Sequence, residues 1–147
     1  MNYFFDIDPR KGIPHTLEAL KTYVKKKDII FCGALDYKPD QTSDATASEV
    51  AKAYKTIFIN LTNVEGLFDK NPLKYKSAKL IKNISWKDFD KMASKQKFKP
   101  GQHFALDQKA SKTILKNKIK TYILGEDPKQ IKNVLEEKCF IGSLIAN

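Results

Sequence analysis

Arginine is almost missing from this chain. Arg10 is the only one, and lysine supplies every other basic side chain. The formal net charge of +10 would on its own suggest a nucleic-acid binder. Bidentate recognition of bases and phosphates, however, favours the guanidinium fork over the ammonium group. The lysines are also spread along the sequence and mixed with Asp and Glu. They read as a solvated surface with a general attraction for anionic ligands, and nucleic acid is not expected as a partner.

Cysteine and histidine are equally scarce. Cys32 and Cys139 share no ligand spacing with His15 and His103, so no protein-built metal site is expected. No basic-then-apolar leader follows Met1, which argues against secretion and so against a disulfide. Both cysteines lie in apolar, strand-like contexts and are expected to be small core residues. No apolar run approaches the roughly 20 residues needed to cross a bilayer. A soluble, cytoplasmic protein without a membrane partner is the expectation. With 41% hydrophobic and 11% aromatic residues over 147 positions, one domain spanning 1–147 can bury a respectable core.

Periodicity gives a chain in which strands and helices alternate. Strands are expected at 3–7 (YFFDI), 28–32 (DIIFC, buried on both faces), 56–61, 120–124 and 139–145, with a short hairpin or edge strand at 79–81. A turn is expected at 8–12 and a break at 99–102. Helices are expected at 14–24 around Leu17, Leu20 and Val24, from 42 or 43 to 54, and from Ser85 with Trp86, Phe89 and Met92 on one face. Two more are expected at 106–116, with Ala110, Ile114 and Leu115 inside, and from Asp127-Pro128, with Ile131, Val134 and Leu135 inside. The alternation implies an α/β fold, a largely parallel sheet with helices on both faces.

Three segments carry candidate chemistry. The first runs from Gly33 through Ala34 to Thr42, Ser43 and Asp44, a polar loop entering a helix. Free amides and hydroxyls there can cap the helix or hold an anion. The second is NLTNVEGLFDKNP at 60–72, a strand end followed by two turns. Its Asn60, Thr62, Asn63 and Glu65 can contact a ligand, and Gly66 permits close backbone approach. The third is FALDQKA at 104–110, with Asp107 at a helix start, either an N-cap or a functional carboxylate.

The 60–72 stretch resembles the T-N-V-D-G-V/L-Y-x-x-D-P signature of the amino acid kinase family, above all its uridylate (UMP) kinase branch of archaeal type. Thr42-Ser43-Asp44-Ala45 resembles the T-T-D-A end of the segment that holds the nucleoside monophosphate there, and LDQKA resembles the family's M/I-D-x-x-A-A. The resemblance implies an amino acid kinase (carbamate kinase-like) fold and ATP-dependent phosphorylation of UMP to UDP, in pyrimidine biosynthesis. Carried over residue by residue, it implies Thr62, Asn63, Phe68 and Asn71 as ATP-binding residues. Gly33, Ala34, Thr42 and Ser43 become acceptor-binding residues, and Asp44 and Asp107 organise the transfer centre. ATP and Mg²⁺ are the implied cofactors, the ion held mainly through phosphate oxygens. Phe68 replaces the usual tyrosine, Asn71 an aspartate and Glu65 the more frequent aspartate.

The likeness runs from about residue 27 to 145, and more loosely back to residue 3. The family's N-terminal glycine loops, which cradle the ATP phosphates and help hold the acceptor, have no counterpart before residue 27. The chain therefore reads as the N-terminally truncated, C-terminal majority of a kinase, with impaired catalysis when isolated. A homo-oligomer or a separate N-terminal half is the expected partner. The rival readings are a non-catalytic nucleotide-binding or regulatory subunit and a kinase of another small phosphate or carboxylate.

Overall fold

The computed structural model describes residues 13–33, 35–36, 39, 41–95 and 106–147. The strand expected at 3–7, the turn at 8–12, the break at 99–102, Ala34 and His103 lie outside the described residues. Five helices and four strands follow in the order α1 (Leu17–Val24), α2 (Ser43–Tyr54), β1 (Phe58–Leu61), β2 (Asn83–Ile84), α3 (Trp86–Lys95), α4 (Gln108–Asn117), β3 (Thr121–Leu124), α5 (Pro128–Leu135) and β4 (Ser143–Ile145).

The sheet has the order β1-β3-β4-β2. β1 runs parallel to β3 and β2 parallel to β4, while β3 and β4 pair antiparallel. The expected α/β layering is present, with one antiparallel seam inside a mostly parallel sheet. β3 is buried at all four positions, because its alternate side chains enter two separate cores. Ile123 faces a core shared with Ala51, Phe89, Ala110 and Ile114 of α2, α3 and α4. Tyr122 and Leu124 face the opposite core, closed by Ile131 and Val134 of α5. Three helices thus cover one face and one helix the other.

Local chemistry fixes most of the helix starts. Thr16, Thr42, Asp107 and Asp127 each cap a helix by accepting amide hydrogens in its first turn. Ser85 Oγ accepts from the Asp88 amide and donates to the Asp88 carboxylate, entering α3 in the expected way. Phe89 of that helix is fully buried, with Trp86 and Met92 packed on the same core. The short hairpin or edge strand expected at 79–81 is present as one antiparallel bridge between Leu80 and Phe68, flanked by the Ile81 amide donating to the Leu67 carbonyl at 2.8 Å and the Asp69 amide to the Lys79 carbonyl at 3.1 Å.

Several expectations are corrected. Residues 28–32 form no strand, and Ile29 and Cys32 are exposed. An apolar run becomes a strand only when a partner takes up its amides and carbonyls, and no described strand lies beside this one. Cys139 is exposed as well. The last strand starts at Ser143 rather than 139, after Gly142 turns the chain at φ +156°. Leu135 is 64% exposed. Gln130, Ile131 and Val134 define the inward arc of α5, and 100° per residue carries Leu135 past its edge.

Candidate active site

Helices α2 and α4 each run into the following strand through a short turn, so each lies antiparallel to its strand. Their N-termini therefore sit at the C-terminal edge of β1 and β3, where open α/β sheets bind ligands. There the two N-caps meet. Thr42 Oγ1 donates to Asp107 Oδ2 and itself accepts from the Ala45 amide at 3.1 Å. Asp107 Oδ1 accepts from the amides of Lys109 (2.6 Å) and Ala110 (2.9 Å). One threonine and one aspartate thereby lock two positive helix ends side by side.

Asp44, in the first turn of α2, faces this junction. Burial raises its carboxyl above the ordinary range, the Asp107 carboxylate raises it further, and a hydrogen bond from the Asp107 backbone partly offsets both. Two carboxylates of separate sequence origin thus share one half-buried site beside two helix N-termini. Ser43, the first residue of α2, is exposed beside them. Gly33 is also exposed, with open space around it. Among the described residues it makes no hydrogen bond to this junction.

The second cluster lies after β1. Thr62 extends the β1–β3 ladder, its amide donating to the Leu124 carbonyl at 2.9 Å. Asn63 and Glu65 line a cavity of about 220 Å³ together with Gly125, Glu126, Asp127 and Gln130. The two loops approach closely: a Cβ on Gly125 would stand 3.3 Å from Glu65 Cα and from the Val64 carbonyl oxygen. Gln130 braces the wall, donating to Asp127 and accepting from the Ile141 amide, both at 2.8 Å. The Gln130 amide, and then the Lys129 backbone N–H, hold the Asp127 carboxyl below its ordinary range.

Thr62, Phe68 and Asn71 are not among the cavity-lining residues. Phe68 is fixed in the bridge to Leu80. Asn71 Oδ1 accepts from the Leu73 amide at 2.9 Å, closing its own turn. Gly66 is needed where it stands, since a Cβ there would lie 2.8 Å from Ser143 Oγ. That hydroxyl accepts from the Leu67 amide at 2.8 Å and ties the signature loop to β4. Sequence reasoning missed Gly125, Glu126, Asp127 and Gln130 as cavity residues. The G-E-D-P turn directly after a buried strand was the available signal.

No group of three or more His, Cys, Asp or Glu able to hold a metal ion occurs among the described residues. The carboxylates fit Mg²⁺ only as hard-oxygen partners beside phosphate oxygens, which is the way that ion is usually held at such sites.

Two helix N-termini with paired carboxylates, and a cavity after β1, both lie at the C-terminal edge of the sheet, the place where α/β proteins hold anionic ligands. A model of the amino acid kinase family matches residues 5–125, and the chain belongs to that family. It is 33% identical to the uridylate kinase of Archaeoglobus fulgidus over 109 residues, 74% of this chain and 49% of that protein. To the uridylate kinase of Methanocaldococcus jannaschii it is 32% identical over 125 residues, 84% of this chain and 54% of that one. The crystal structure of the A. fulgidus uridylate kinase superposes with a TM-score of 0.80 at 28% identity, covering 92% of this chain and 60% of that chain. An isopentenyl phosphate kinase from T. acidophilum, at 19% identity and a TM-score of 0.63, shares the fold. The chain spans about half the length of the curated relatives it matches.

Proposed function

We propose that this chain forms the acceptor-side and adenine-side portion of an ATP- and Mg²⁺-dependent kinase that phosphorylates UMP to UDP. The observation that carries the reading is the Thr42–Asp107 junction with Asp44 beside it, at paired helix N-termini. The Ser43 hydroxyl and the backbone amides of Thr42 and Ser43 hold the acceptor phosphate, the Thr42 hydroxyl being engaged by Asp107, with Gly33 and Ala34 completing that loop. Asp107 fixes the geometry of both helix ends. Asp44 presents a carboxylate whose ionised form is disfavoured until a cation arrives. Mg²⁺, when bound, neutralises charge on the phosphates; Asp44 supplies its protein oxygen. Asn63 lies in the cavity after β1 and supplies the adenine-side contact there; Thr62, Phe68 and Asn71, which do not line that cavity, stand as ATP-side residues on the family resemblance alone.

Residues 1–147 act as one kinase-domain portion in the cytoplasm. Among the described residues no helix is long and apolar enough to cross a membrane. A second copy or a separate N-terminal half supplies the rest of the active-site wall. The outer edge of β1 has no described partner, and Ile29 and Leu61 are each 52% exposed, surface that such a partner would cover.

The test is transfer of the γ-phosphate of ATP to a panel of nucleoside monophosphates, with the chain alone and with a supplied N-terminal half. UMP-preferring transfer, lost in Asp107→Asn, is expected. Transfer to another acceptor, or none in either format, overturns the reading. A non-catalytic nucleotide-binding role is the second reading. It is favoured by Asn71, a neutral side chain spent on its own turn, and ATP binding without transfer in both formats would select it.

A further inference from the structure

The same two helices end together at the opposite edge of the sheet, and the ends are built alike. Lys55 closes α2 and Lys118 closes α4, both in the left-handed conformation (φ 50° and 51°). In each, the cap amide and the next one bond back to the last helical carbonyls: Thr56 to Ala51 at 3.0 Å, Ile119 to Ile114 at 3.1 Å. Glycine is the ordinary residue at such a position. Two lysines there set cationic side chains at the negative helix ends at some backbone cost.

Between the two ends lies a cavity of about 500 Å³. Its charged lining is Lys52, Lys55, Lys118 and Lys120; Ile57 and Ile119 add apolar surface, and no Asp or Glu lines it. Lys52 also reaches Glu49 at 3.1 Å, and Lys120 lies over the Tyr122 ring at 5.5 Å. Lys55 and Lys118 form no ion pair among the described residues. The helix carbonyls are already satisfied by backbone amides, so these two ammonium groups are not consumed in capping.

We propose that this groove is a binding site for an anion carrying several linked phosphates, separate from the candidate active site. Four cations around one cavity suit a ligand with several charges spaced a few ångströms apart. Lysines act there as adjustable point charges, and the two isoleucines leave room for an apolar or aromatic group attached to the phosphates.

The experiment is a ¹⁵N chemical-shift titration of the chain with sodium tripolyphosphate and, separately, with ATP. Tripolyphosphate is expected to move the amides of residues 52–57 and 117–120. The double variant Lys55→Gly/Lys118→Gly should bind it about tenfold more weakly or worse, with Tm unchanged or raised. Lys55→Asn/Lys118→Asn, which also tolerates the left-handed backbone, should behave the same way. Equal binding of the two probes would support a site that reads phosphates alone. Tighter ATP binding, with shifts at Ile57 and Ile119, would support a nucleotide as the ligand. No shift at these residues with either probe, or unchanged affinity in both variants, overturns the proposal.

Discussion

The two ends of α2 and α4 are opposites made from the same pair of helices. At the strand C-terminal edge, short side chains with oxygen acceptors turn inward and bond to amides and to each other. At the other edge, long cationic side chains rise from left-handed caps around an open groove. Both arrangements agree with the helix dipole, but the free energy is stored differently. Asp44 carries an electrostatic cost, its charge half-buried and facing a second carboxylate. Lys55 and Lys118 carry a backbone cost and are exposed. Under the proposed function, the first kind of cost falls where a reacting group is held. Under the proposed anion site, the second falls where a ligand need only be attracted.

The contrast can be broken most severely at Asp107. Asparagine keeps an acceptor for the Lys109 and Ala110 amides, so Asp107→Asn removes charge while retaining the cap. Phosphate transfer by the assembled enzyme should fall by about 10²–10³, with little change in the urea midpoint. Second comes Thr42→Val, which deletes both the cap on α2 and the link to α4. It should cost about 1–2 kcal/mol in chemical denaturation.

Asp44→Asn sharpens the comparison with a sign. The folded-state pKa of Asp44 is raised, so the folded chain holds that proton more tightly than the unfolded chain. Stability then declines as pH rises from the ordinary carboxylate range through the raised value, and is regained on acidification through the same window. Asparagine should abolish that decline and leave the protein slightly more stable at neutral pH. Urea midpoints measured from about pH 4 to 8 for parent and variant check this. The smallest effect belongs to the basic end. Lys55→Gly alone should stabilise the chain by about 0.5–1 kcal/mol through relief of the left-handed cap, visible as a small rise in Tm.

What could be read from the residues alone was the part governed by neighbours in sequence. Thr42, Ser85, Asp107 and Asp127 announce helix starts because a cap bonds within three residues of itself. The two candidate carboxylates were legible for the same reason, though their meeting across 63 positions of chain rests on how α2 and α4 pack. The 28–32 run misled because a strand is a property of two segments, and composition reports only one. Cys139 misled because Gly142 delays the ladder. Gln130 was invisible as a wall residue: a glutamine at the start of a helix reads as surface until the loop before β4 folds over it.

The strand order carries a consequence for synthesis. Among the described residues, Asn83 and Ile84 find their strand partners in Leu144 and Ile145, and β4 is also the strand that joins β2 to β3. A nascent chain that has emerged as far as α5 can pair β1 with β3 and pack α2, α3 and α4 over them. Its β2 still has no neighbour, and the Leu67 amide still awaits Ser143. The signature loop therefore acquires its tether only as the last described strand leaves the ribosome. Translation pauses before that point would hold the cavity after β1 open while the Thr42–Asp107 junction is already closed.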